Sequence, residues 1–158
     1  MATVKDTFAT IADFTITLAS LGNSTTGVGR QSTLIDNTSN LYESALVSVM
    51  FTVGTTPTAN TPILVYLIRS DNNGTPIADD GAGTSDAALT IKNANLIGTI
   101  INPAATSNTA YSGVFDTVSL GSLGPRWGIA IVNSTGVTAN STAGNFKASF
   151  IGKFKTVV

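Results

Sequence analysis

Cysteine and histidine are both absent from the 158 residues. Without cysteine there is no disulfide framework, zinc–thiolate site or thiol nucleophile. Without histidine, the commonest general base, metal ligand and near-neutral pH switch are missing together. Charge is scarce too. Charged residues make up 11% of the chain, against roughly a quarter in typical domains. Eight basic residues face nine acidic ones, and the basic ones are scattered except for Lys147, Lys153 and Lys155, so binding nucleic acid by phosphate neutralisation is not expected. No run approaches the roughly 20 apolar residues that cross a bilayer, and the start, Met1 to Phe8, lacks the apolar segment of a secretory signal. The expectation is a protein made in a cytoplasm and not secreted, with no membrane partner and no cofactor.

Hydrophobic residues make up 42%, and Thr, Ser and Asn take over the solvent-facing chemistry that charges usually supply. Thr suits strands, and Ser, Asn and Gly suit turns. The pattern along the chain agrees. Pro62 to Arg69 is apolar on both faces, with Ile63, Val65 and Leu67 opposite Leu64, Tyr66 and Ile68. Ser44 to Val53 has one unbroken apolar face, Ala45, Val47, Val49, Phe51 and Val53, and Leu46 and Met50 interrupt the other. Arg126 to Asn133 sets Trp127, Ile129 and Ile131 against Gly128, Ala130 and Val132, small residues that invite close approach of a second layer. Phe146 to Val158 places Phe146, Ala148, Phe150, Gly152 and Phe154 inward, with Lys147, Ser149, Lys153 and Lys155 outward.

Less regular strands are read at Thr7 to Leu21, Arg30 to Asp36, Leu89 to Lys92, Asn95 to Ile101 and Tyr111 to Leu120. About eight strands without a helix predict an all-β chain, a single domain over residues 1–158 built as a two-sheet antiparallel sandwich. A jelly roll is the first expectation and an immunoglobulin-like sandwich the second.

Candidate sites are few. Asp71, Asn73, Asp79 and Asp80, with Asp86 nearby, put oxygen ligands on one loop as calcium requires, but no acid stands twelve positions after Asp71. Turn chemistry accounts for the same residues, and no metal is expected. Trp127 is read as core in preference to a sugar platform. Asp116 and Glu43 are the nearest thing to a catalytic carboxylate pair, with nothing to bring them together; no catalytic residue and no enzymatic activity are expected. The triplets at Asn23, Asn37, Asn133 and Asn140 fit glycosylation only as a chance pattern in a chain so rich in Asn, Ser and Thr. Lys147, Lys153 and Lys155 read as a solvated face, with docking on an acidic partner as the alternative.

Gly29-Arg30-Gln31-Ser32-Thr33, Asp36-Asn37, Ala45 to Val49, Val65 to Arg69, Asp79 to Thr84 and Arg126-Trp127-Gly128-Ile129 together resemble the small virion proteins encoded beside capsid genes in tailed bacteriophages. The similarity covers most of the chain in overall texture, and none of the motifs carries chemistry. The resemblance implies a jelly-roll cement or decoration protein on the outside of a capsid, clamping neighbouring major capsid protein subunits. A carbohydrate-binding or host-attachment module of the virion is the alternative. The two-faced strand adds a further expectation: a homodimer or homotrimer, with contacts drawn from Leu64, Tyr66, Ile68, Leu46 and Met50.

Overall fold

The computed structural model describes residues 2–24, 27–70, 85–89 and 94–158, which build two antiparallel sheets packed face to face. The front sheet runs in the order β1 (Val4–Phe8), β11 (Lys147–Val157), β5 (Ser44–Thr52), β9 (Ala110–Asp116), with β2 (Ala12–Asp13) also on β11. The back sheet runs β7 (Ala87–Ala88), β3 (Val28–Gln31), β10 (Arg126–Asn133), β6 (Thr61–Ser70), β8 (Asn95–Asn102), with β4 (Ile35–Asp36) also on β10. Taking β1 with β2 and β3 with β4 as broken single strands, the first strand pairs with the last and the second with the next to last. β5 then pairs with β9, and β6 with β8. This nesting is the jelly roll: one long antiparallel ribbon, rolled until β5 meets β11 and β6 meets β10.

Three of the long strands, β5, β6 and β10, follow the apolar alternation. Ala45, Val47, Val49 and Phe51 of β5, Ile63, Val65 and Leu67 of β6, and Trp127, Ile129 and Ile131 of β10 point between the sheets and are buried. At the centre Trp127 meets Phe14 edge-on at 5.5 Å and Phe150 at 5.0 Å, arrangements that add to the burial of three large rings. Trp127 is therefore core, as its strand position implies.

Several readings change in the structure, and the strand read at Arg30 to Asp36 is divided into β3 and β4. Thr7 to Leu21 is not one strand: β1 and β2 are short, and Phe14, Leu18 and Leu21 reach the core from irregular backbone. Here the Arg30 guanidinium stands in for a ladder, donating to the carbonyls of Thr17 at 3.0 Å, Ala19 at 2.8 Å and Ser20 at 3.1 Å. The strand read to Leu120 ends at Asp116, whose Oδ1 accepts from the Val118 amide at 2.9 Å and starts a 3-10 turn over Val118–Leu120. Thr117 meanwhile turns inward and joins its amide and hydroxyl to Ala45. The short strand expected at Leu89 to Lys92 lies instead at Ala87–Ala88; Leu89 follows it as a buried side chain, and residues 90–93 lie outside the described residues.

The uneven alternation of Leu96, Ile97, Ile100 and Ile101 has a local cause. Val65 faces Gly98 while Tyr66 faces Leu96, so Ile97 is the extra residue of a β-bulge. Ile97 and Ile100 thus both turn to the core, and Leu96 and Ile101 remain about half exposed. Gly98 sits against the Phe115 ring, where any Cβ would collide, so the edge strands β8 and β9 close on each other across the sandwich.

Candidate interaction surfaces

The two sheets present very different outer faces. On the back sheet, Leu64, Tyr66 and Ile68 share a face with Val132, Ala130 and Gly128, their cross-strand partners on β10. The chain covers much of this face itself. Ile68, Ala130, Val132, Leu89 and Ala94 are buried in a second apolar cluster, with Leu34, Leu64 and Tyr66 packed against it. Gly128 makes room for that layer, since a Cβ there would stand 2.7 Å from the Ser32 hydroxyl and 3.2 Å from Leu34. Ile68 is consequently not available as a contact residue, against the expectation from its strand. Leu64 and Tyr66 remain half-buried beside a depression of about 200 Å³ that also touches Leu89, Val132, Ser24 and Ser134.

Among the described residues the front sheet has no second layer. Its outer face consists of cross-strand rows: Ile151, Leu46 and Asp116; Ser149, Ser48 and Val114; Lys147, Met50 and Ser112. Leu46, Met50 and Ile151 belong to neither apolar cluster and are partly open to solvent, and Val114 is 67% exposed. The middle of this face is aliphatic and hydroxyl-bearing, and its charges lie at the margins. Lys147 stands at one end of β11, and Lys153 and Lys155 stand towards the other.

The lysines do not form a free basic edge. β11 is an interior strand, flanked by β1 and β5. Lys153 bonds Asp6 at 2.8 Å, while Lys155 reaches Asp6 at 3.0 Å and Glu43 at 3.5 Å. The bond from Lys153, followed by that from Lys155, holds the Asp6 carboxyl below its ordinary range, and Asp6 in turn raises Lys155 above the usual lysine value. These exposed pairs are individually weak. Together they tie the ends of the chain at one place and leave Lys147 outside the cluster.

The other candidates do not assemble into a site. Trp127 has no accessible surface. Asp116 is held by its own turn, and Glu43 faces Lys155. Asp86 bonds Arg30 at 2.5 Å and the Gly22 amide at 3.0 Å. Asp71, Asn73, Asp79 and Asp80 lie outside the described residues. Among the described residues no three His, Cys, Asp or Glu side chains gather as a metal would require. Asn133 is fully buried, its amide donating to the carbonyls of Leu21 and Val137. Asn37 is buried as well, joined to Tyr42 and Gly124. The feature that sequence reasoning missed is the front face as a unit. Leu46 and Met50 signalled it, but Ile151 and Val114 join them only through strand pairing. No protein-family model matches the chain, and no curated protein sequence matches it significantly.

Proposed function

We propose that this chain is a structural protein of a tailed-phage virion, a cement protein on the outside of the capsid that clamps neighbouring major capsid protein subunits. The observation that carries the reading is the bare front face. Leu46, Met50 and Ile151, partly open to solvent, and the exposed Val114, with Ser48 beside them, make an uncharged centre with charge at its rim, Ser149 being buried among them, the distribution found where interfaces are large and lasting. The sequence resemblance supports the same reading. So does the fate of the polar side chains: the described ion pairs and buried amides act on the chain's own backbone and strands, and they brace a rigid block. A protein that binds only the assembled shell stabilises it by mass action.

For carbohydrate attachment, the aromatic platform Trp127 lies in the core and Asp86 is engaged by Arg30, while residues 71–84 of the loop it would use lie outside the described residues. The direct test is cryo-electron microscopy of the parent particle. Regular density for this chain across capsomer seams is expected; its absence from the shell, or a few copies confined to the tail, overturns the proposal.

A further inference from the structure

β11 is longer than the sheet that contains it. β5 ends opposite Lys153, at Ser44, whereas β11 continues to Val157 with only β1 beside it, pairing Val4 with Val157 and Phe8 with Lys153. The ends of the chain thus form a two-stranded ribbon projecting past the sandwich. Two strands alone are marginal in water. This pair is also exposed, with Val4 at 59%, Val157 at 70% and Val158 at 67%.

The backbone shows which side is unfinished. Thr3 and Val158 exchange both of their amide–carbonyl bonds, at 2.8 and 2.9 Å, so the even-numbered residues of this part of β11 face β1. Lys153 faces the opposite way, its carbonyl accepting from the Glu43 amide at 2.8 Å. By the same alternation the amides and carbonyls of Lys155 and Val157 point to the side that β5 has vacated. No strand stands there among the described residues. In its place is a notch of about 500 Å³ bounded by Lys153, Lys155, Ser44, Val118 and Ser122.

We propose that this open edge is completed by the same edge of a second copy, the two β11 tails pairing antiparallel about a two-fold axis at Thr156. The register is self-complementary. Lys155 of each copy falls opposite Val157 of the other, and these are the residues whose hydrogen-bonding groups point outward, so both form hydrogen-bonded pairs. The ribbons then merge into a four-stranded sheet in which the valines at positions 4 and 157 of both copies share one face. Each Lys155 keeps the neutralising carboxylates of Asp6 and Glu43 within its own copy. The sandwiches extend in opposite directions from the axis, and the bare front face of each remains free for the shell. The front face is the basis of the proposed function; the dimer rests on the β11 edge alone and forms in solution without any capsid.

Thr156 sits on the axis as a non-hydrogen-bonded pair, whose Cα atoms stand about 4.5 Å apart, within disulfide range. The chain has no cysteine of its own. Thr156→Cys is therefore expected to give a covalent dimer under mild oxidation, while Val114→Cys, on the front face, stays monomeric on a non-reducing gel. Val157→Pro removes an outward-facing N–H that β1 does not use, a change an edge strand tolerates. It is expected to turn a sedimenting dimer into a folded monomer whose thermal melt no longer rises with protein concentration. Wild-type protein that sediments as a monomer at high micromolar concentration overturns the proposal. So does a dimer that resists Val157→Pro, or one that cross-links through position 114 and not 156. Augmentation of this edge by an unrelated protein, with no self-pairing, also overturns it.

Discussion

The outer faces of the two sheets start from similar strand patterns and end differently. On the back sheet, β6 carries three large apolar residues outward, and the chain folds Leu34, Leu89 and Ala94 over them until Ile68 is fully buried. On the front sheet, β5 carries two, Leu46 and Met50, and among the described residues no apolar cluster covers them. The strand with the more apolar outer face is therefore not the one best placed for docking. An apolar face is a demand for a covering layer, and whether the layer is internal depends on loops far away in sequence. Gly128 makes the difference visible at one residue: its missing side chain admits Ser32 and Leu34 to the back face.

Charged substitutions should separate the two faces. Ile68→Asp, buried in the back cluster, should cost more than about 3 kcal/mol, since the carboxylate would lie among apolar groups without a partner. Chemical denaturation should show a strongly lowered midpoint at unchanged slope. Gly128→Val attacks the same layer sterically, with Ser32 Oγ 2.7 Å from the new Cβ. A loss of about 1–3 kcal/mol is expected from the forced repacking, read as a lower denaturation midpoint at unchanged slope. On the front face, Leu46→Lys and Ile151→Lys should each change stability by less than about 1 kcal/mol. The same variants should abolish retention on capsid shells in a pelleting assay, and equal retention would remove the front face from the clamp.

The smallest effect belongs to the ribbon. Asp6 has a lowered pKa in the folded chain, so its contribution is present above the unfolded carboxyl value of about 4 and fades as pH falls through the lower, folded value. Lys155 has a raised pKa, so its share is complete below the unfolded lysine value of about 10.4 and fades as pH rises through the folded one. Amide exchange at Phe154 and Thr156, corrected for intrinsic rate, should therefore be slowest between these limits and faster on the acid side. Asp6→Asn should remove the acid-side change.

Much of the sandwich was legible because long strands bury regular faces. Ala45 to Phe51, Ile63 to Leu67 and Trp127 to Ile131 all point as their alternation requires. The failures have particular physical causes. Phe14, Leu18 and Leu21 reach the core from irregular backbone held by Arg30, a side-chain arrangement with no periodic signature. Ile97 breaks alternation because of a bulge, which only the facing strand reveals. The ion pairs of Lys153 and Lys155 within the solvated face were not legible, because their partner Asp6 is nearly the whole chain away, 149 residues from Lys155. The front face was half visible, in Leu46 and Met50; the other half is supplied by β9 and β11, which sequence alone does not place beside β5.

The proposed capsid clamp, and the face it would use, can be tested directly by cryo-electron microscopy of the parent particle at side-chain resolution. Leu46, Met50, Ile151 and Val114 are predicted to be buried against major capsid protein, with Leu64 and Tyr66 turned away from it. A shell contact made through Leu64 and Tyr66, leaving the front face in solvent, would contradict the docking face assigned here.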